Sequence, residues 1–355
     1  MRKESFEFLK NYLNIASPVG FEVPGQKLWL EYITPYVDTY YTDVYGTVVG
    51  VINPDAEYKV VLESHADEIS WFVNYINDDG YLYVITNGGS DHQIAPSKRV
   101  NIHTDKGFVK AVFGWPAIHV RGKKENHPEL NNIILDCGCK SKKEVEALGI
   151  HTGSVVTFED EFMTLNKNYY VARAMDNRIG GFMIAETARM LKEKKKKLNY
   201  GLYFVNAVQE EVGLKGAEMI SRRIKPDVAI ITDVSHDTQS PLYNKITDGD
   251  LACGKGPTLT YGPSIHNELL KMLISTAKKN KIPFQYEAVS SHSGTDTDAF
   301  AYSAEGVASA LIGVAVKYMH TTVETVHKDD VQNGIKLMYE FLLQLKSGHN
   351  FSYFK

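Results

Sequence analysis

Cysteine is scarce. The three in 355 residues, Cys137, Cys139 and Cys253, form no C-x-x-C and are odd in number. That excludes a disulfide framework and a zinc ribbon, and it fits a reducing cytoplasm. No apolar run approaches the ~18 residues that a membrane helix needs. The opening "MRKESFEFLKNYLNIASPVG" carries Glu4 and Glu7 inside its would-be apolar stretch. It reads as an amphipathic helix with Phe6, Leu9, Leu13 and Ile15 inward, not as a signal peptide. An excess of positive charge is also lacking. Lys plus Arg number 39 against 43 Asp plus Glu, a net charge of -4, so no nucleic-acid or membrane partner is expected. The one basic run, Lys192 to Lys197, reads as the solvated end of a helix.

What is present is an ordinary globular composition, 43% hydrophobic and 23% charged, in a chain long enough for one large or two medium domains. Residues 1–68 read as helix, helix, strand, strand: 4–14, 22–36, "TVVGVIN" and "YKVVLESHAD". Residues 69–162 change character. Short alternating runs follow a hairpin signal at Asp78-Asp79-Gly80, and only "SKKEVEALG" is helical. From 163 onward strand and helix patterns alternate to the end. The predicted fold is an α/β domain, 1–68 plus 163–355, with a mostly parallel sheet and helices on both faces. An inserted all-β domain, 69–162, of small-barrel type interrupts it.

Five polar clusters fall at strand ends or just after them: "SHAD", "RAMDNR", "VQEEVG", "ITDVSHD" and "KYMHTTVE". In an open α/β sheet that edge is where ligands bind. Glu210 and Glu211 stand side by side after an apolar run, and adjacent carboxylates near a buried edge repel unless a cation lies between them. The remaining donors are imidazole and carboxylate, which suit zinc, cobalt or manganese. His65, Asp176, Glu211, Asp233 and His320 can supply a two-metal site. Two divalent ions, three carboxylates and one hydroxide sum to neutrality. Glu210 is then free to act as general base on a metal-acidified water, and Asp67 to accept the second N–H of His65. Taken singly, each residue has a plainer reading: Asp176 as a helix N-cap, Asp233 as a turn residue, the histidines as solvated strand ends.

Taken together, H-A-D, M-D-N-R-x-G-G, V-Q-E-E-V-G-L-x-G-A, D-V-S-H and Y-M-H-x-x-V-E resemble the tetrahedral (TET) aminopeptidases. These are co-catalytic metallopeptidases akin to glutamyl aminopeptidases, some members carrying an endoglucanase label. "GGSDHQIAPSKRV" and "SGTDTDAF" resemble family stretches too, and the match runs over nearly the whole chain. The resemblance implies a phosphorylase/hydrolase-like fold and two zinc or cobalt ions. It pairs His65 with Asp233 on one metal and Glu211 with His320 on the other, bridged by Asp176, with a cis peptide after Asp176. It implies Glu210 as base, peptide substrates, and a homo-oligomer, dimer-based and up to a dodecamer, built through the inserted domain. Ser70, Trp71, Thr321, Thr322 and a long loop at 236–250 depart from the pattern. His236, His292, Thr295 and Asp296 are candidates for the substrate pocket. His92, His103, His119, His127 and His151 read as structural or surface groups. The competing readings are a non-catalytic metal-binding protein and a metal-independent glycoside hydrolase.

Overall fold

The computed structural model describes residues 1–121 and 127–354. Its centre is a parallel sheet of Gly201–Ala207, Lys59–His65, Val228–His236 and Ala308–Lys317, side by side in that order. These strands are buried almost end to end, which is why they read as continuous apolar runs. Antiparallel strands flank them. Val48–Ile52 and Thr39–Thr42 extend one side. Glu324–His327, Tyr169–Ala172 and Met163–Leu165 extend the other. Thr258–Tyr261 also pairs with Ala308–Lys317 and carries Gln285–Ala288 beside it. The whole sheet has eleven strands. The parallel expectation therefore describes the centre, and the flanks make the sheet mixed.

Helices cover both faces. Met175–Glu193 packs on one face, where Gly180 lies against Ser64 and Thr232. Side chains alternate along a strand, so Glu63, His65, Ile231 and Asp233 point to the other face. There the short helix Thr297–Ala301 packs against Val228–His236 and Ala308–Lys317. The N-terminal helix Lys3–Asn14 buries Phe8, Leu9, Tyr12 and Leu13, while Phe6 and Ile15 lie at the edge of the core.

A closed antiparallel barrel forms from Ser70–Ile76, Leu82–Asn87, Ile134–Asp136, Gly107–Gly114, Arg99–Thr104 and Val155–Phe158. Trp71 is fully buried in its core against Phe113 and Phe158. Closure leaves no sheet edge unpaired. No helix among the described residues is long and apolar enough to cross a membrane.

Candidate metal centre

The parallel strands deliver the polar clusters to one edge. His65 is the last residue of Lys59–His65, and Asp233 lies near the end of Val228–His236. Glu210 and Glu211 open a single helical turn after Gly201–Ala207, entered through Gln209 at φ 57°. His320 follows Ala308–Lys317 at φ 61°, and Asp176 follows Ala174 at φ 59°. The Asp176–Asn177 peptide is cis.

Asp176 stands between two imidazoles. Its Oδ1 is 3.2 Å from His65 Nε2 and its Oδ2 is 3.3 Å from His320 Nε2. On the first side, Glu210 Oε2 and Asp233 Oδ1 lie 3.8 and 3.9 Å from the same His65 nitrogen. On the second, Glu211 Oε1 lies 3.5 Å from His320 Nε2. His65, Asp176 and Glu211, and again His65, Glu210 and Asp233, place donor atoms within 4.8 Å of one another. A cavity of about 20 Å³ opens beside Asp176, Glu211 and His320, room for a water-sized group.

The electrostatics fit a missing positive charge. Burial, reinforced by Asp296, Asp233 and Glu211, pushes the Glu210 carboxyl up to about 10. Burial and the neighbouring Asp176 push Glu211 up to about 8. Asp233 is driven well above its ordinary value by burial and Asp176. Asp176 is also buried, yet the hydrogen bonds from His320 and His65 hold it below the usual carboxylate range. The bond to Asp176, ahead of the opposing burial, raises His320 to about 10. Burial and mutual repulsion thus disfavour the charged forms of Glu210, Glu211 and Asp233 when only protein groups surround them. Divalent cations held by His65, Asp176, Glu211, Asp233 and His320 would restore every charge, so the donor set suits such ions.

A second ring fixes these groups. Asp67 Oδ1 lies 3.4 Å from His65 Nδ1. The Asp67 carboxylate also accepts the backbone N–H groups of Glu210 at 3.0 Å and Glu211 at 3.1 Å, which was not foreseen. Glu324 accepts the N–H of Asp176 at 3.2 Å and of His320 at 2.7 Å. Glu68 binds Arg173 and Arg178 beneath the site. Glu63 and Asp296 face each other, and burial raises both carboxyls, Glu63 to about 8. The sequence reading assigned no role to Glu324, Glu68 or Glu63. Glu63 was visible as the residue two before His65 on the same strand face; nothing in the spacing marked the partners of Glu324.

Among the other candidates, Asp296 is 1% exposed. It occupies the N-cap position of Thr297–Ala301 without making a cap bond, and it lies beside Glu63 and close enough to Glu210 and Asp233 to raise both. His236, the last residue of Val228–His236, and His292, in a loop, are both exposed. A larger cavity of about 960 Å³ lies elsewhere, among Tyr58, His266, Tyr302 and Phe354, and contains none of the clustered residues.

The M42 glutamyl aminopeptidase family profile matches residues 46–337. A lysyl aminopeptidase of Pyrococcus furiosus is 32% identical, the match covering 96% of this chain and 97% of the relative. A TET aminopeptidase structure from the marine sediment archaeon Thaumarchaeota archaeon SCGC AB-539-E09 superposes with a TM-score of 0.91 at 28% identity, covering 97% of each chain. The Pyrococcus horikoshii TET1 peptidase, which can assemble into a tetrahedron or a large octahedral shell, superposes with a TM-score of 0.85 at 28% identity, covering 96% of this chain and 100% of that one.

Proposed function

The chain belongs to the M42 glutamyl aminopeptidase family and is a peptidase of that kind, and from that premise we propose that it removes N-terminal residues from peptides at a centre of two divalent ions, zinc or cobalt. The observation that carries this reading is Asp176, whose two oxygens each reach a different imidazole. His65 and Asp233 would hold one ion, Glu211 and His320 the other, with Asp176 shared. The ions would supply Lewis acidity at the scissile carbonyl and acidify a water.

The protein's own groups do the rest. Glu210 stands beside the His65 and Asp233 ligands, held by the Asp67 bond to its backbone. It takes a proton from the attacking water and returns it to the nitrogen of the departing peptide. Asp67 fixes the His65 ring and the Glu210–Glu211 turn together, so ligands and base keep one geometry. The barrel serves assembly and substrate access in a homo-oligomer; the TET1 relative can assemble into a tetrahedron or a large octahedral shell. A glycoside hydrolase needs two carboxylates flanking open space for a sugar. Here the carboxylates instead converge on shared imidazoles.

The test is chelation and metal re-addition, with release of free amino acid followed on a panel of aminoacyl-p-nitroanilides. Activity lost with chelator and restored by zinc or cobalt is expected. Two ions bound per chain with no amino acid released from any substrate would leave a binding protein.

A further inference from the structure

The family profile names glutamyl and the Pyrococcus furiosus relative names lysyl substrates, so kinship does not fix which N-terminal residue this chain takes. A carboxylate near the metal centre bears on it. Glu287 lies on Gln285–Ala288 and is half-buried. Its Oε2 accepts hydroxyl hydrogen bonds from Ser235 at 2.9 Å, Thr260 at 2.7 Å and Thr258 at 3.3 Å. All three end on the same oxygen, so Oε1 keeps no protein donor among the described residues. No Lys, Arg or His among those residues pairs with this carboxylate either. Half-buried charges normally find a partner, and this one is oriented without being neutralised.

Its position relative to the centre follows from the strand register. Ser235 is two residues beyond Asp233 on the same strand, so both side chains share a face. Gly313 pairs directly with Asp233 in the parallel ladder and with Thr258 in the antiparallel one. The Ser235 and Thr258 hydroxyls meet 3.0 Å apart over Gly313, in space that a Cβ at that position would take. The Ser235 and Thr258 hydroxyls, two of the three that hold Glu287, therefore sit one strand spacing, about 4.8 Å, to the side of Asp233. A lysine or arginine side chain whose α-carbon is at the metals reaches about that far.

We propose that Glu287 is the specificity-determining residue of the first substrate pocket, its free oxygen receiving the cationic end of an N-terminal lysine or arginine. The inference rests on the aminopeptidase reading above. Ser235 and Thr260 act as positioning residues that aim the carboxylate, and the glycine at 313 leaves room for the Ser235 and Thr258 hydroxyls.

The experiment compares lysyl, norleucyl, leucyl and glutamyl p-nitroanilides on the metal-loaded protein, wild type and Glu287→Gln. Lysine and norleucine share the carbon chain and differ in the ammonium, so their ratio reads the charge alone. The wild type is expected to favour lysyl over norleucyl in kcat/KM. Glu287→Gln is expected to lower that ratio roughly 30-fold or more, the effect of removing one partner of a desolvated charge pair. Glu287→Asp should keep part of the preference. Free lysine should compete better than norleucine against wild type only. A wild type that prefers norleucyl or glutamyl, or a variant that loses all substrates in equal proportion, would overturn the assignment while leaving an aminopeptidase. No release from any substrate would instead remove the aminopeptidase reading, and this inference with it.

Discussion

Asp67 accepts the backbone N–H of Glu210 at 3.0 Å while its other oxygen accepts that of Glu211 at 3.1 Å. One carboxylate thus ties the turn that carries the proposed base to the proposed ligand His65, 3.4 Å away. Asparagine at this position has only one acceptor oxygen and cannot serve all three contacts. Asp67→Asn is therefore expected to weaken metal binding about 10- to 100-fold, read by titrating the stripped protein with zinc. Unchanged affinity would confine Asp67 to the backbone of the turn.

Glu210 lies as near His65 as Asp233 does, 3.8 against 3.9 Å, so base and ligand must be separated by experiment. Glu210→Gln is expected to lower kcat by about 10²- to 10⁴-fold. Metal content, measured by elemental analysis, should stay at two ions per chain. A drop to one would make Glu210 a ligand.

The barrel's approach to the centre can be probed at Gly89. A Cβ there would stand 2.6 Å from His320 Nδ1, so Gly89→Ala must displace the imidazole or the strand end. One ion per chain is expected to be lost, with activity falling at least ~10-fold. The melting temperature of the chelated protein should hardly move, because the imidazole is partly exposed. Full metal occupancy in the variant would show that the loop yields instead.

Glu68 pairs with Arg178 at 2.5 Å, with Arg173, and with the Ser17 N–H at 2.8 Å. Arg178 is fully buried. Burial opposes the charge of Glu68, but Arg173 and Arg178 outweigh it and hold the carboxyl below its ordinary value. A depressed folded value means that the pair stabilises fully above the unfolded value of about 4.3, and that this stability is lost as pH falls through the folded value. Glu68→Gln leaves a buried guanidinium uncompensated. It should cost about 3–5 kcal/mol near neutral pH and flatten the acid limb of stability, measured by denaturant unfolding across pH 3 to 7. An equally steep acid limb in the variant would place that titration elsewhere.

Chelation should lower the melting temperature as well as activity. Ions that bind only the folded chain stabilise it by about 4 kcal/mol at a thousandfold excess over Kd. The crowded carboxylates of the stripped site add to the difference. Calorimetry with and without chelator reads the shift, and no shift would mean the centre is not loaded in the folded protein.

Most long elements were legible because their patterns are local. The apolar runs 59–65, 201–207, 228–236 and 308–317 became the parallel centre, and the alternating runs after 69 became the barrel. The strands that escaped notice, Thr39–Thr42, Met163–Leu165, Tyr169–Ala172, Thr258–Tyr261 and Glu324–His327, are three or four residues each. That is too short for a period to show, and their antiparallel pairing made the sheet mixed.

The sequence by itself determined the inventory of the site: which imidazoles and carboxylates end the strands, and that a cation chemistry suits them. Those facts lie within single motifs a few residues long. Only the tertiary structure decided who holds whom. Glu324 reaches the Asp176 N–H across 148 positions, and Ser235 reaches Glu287 across 52. Such contacts depend on the lateral order and register of strands. Those are set by packing of the whole core, and no local spacing encodes them.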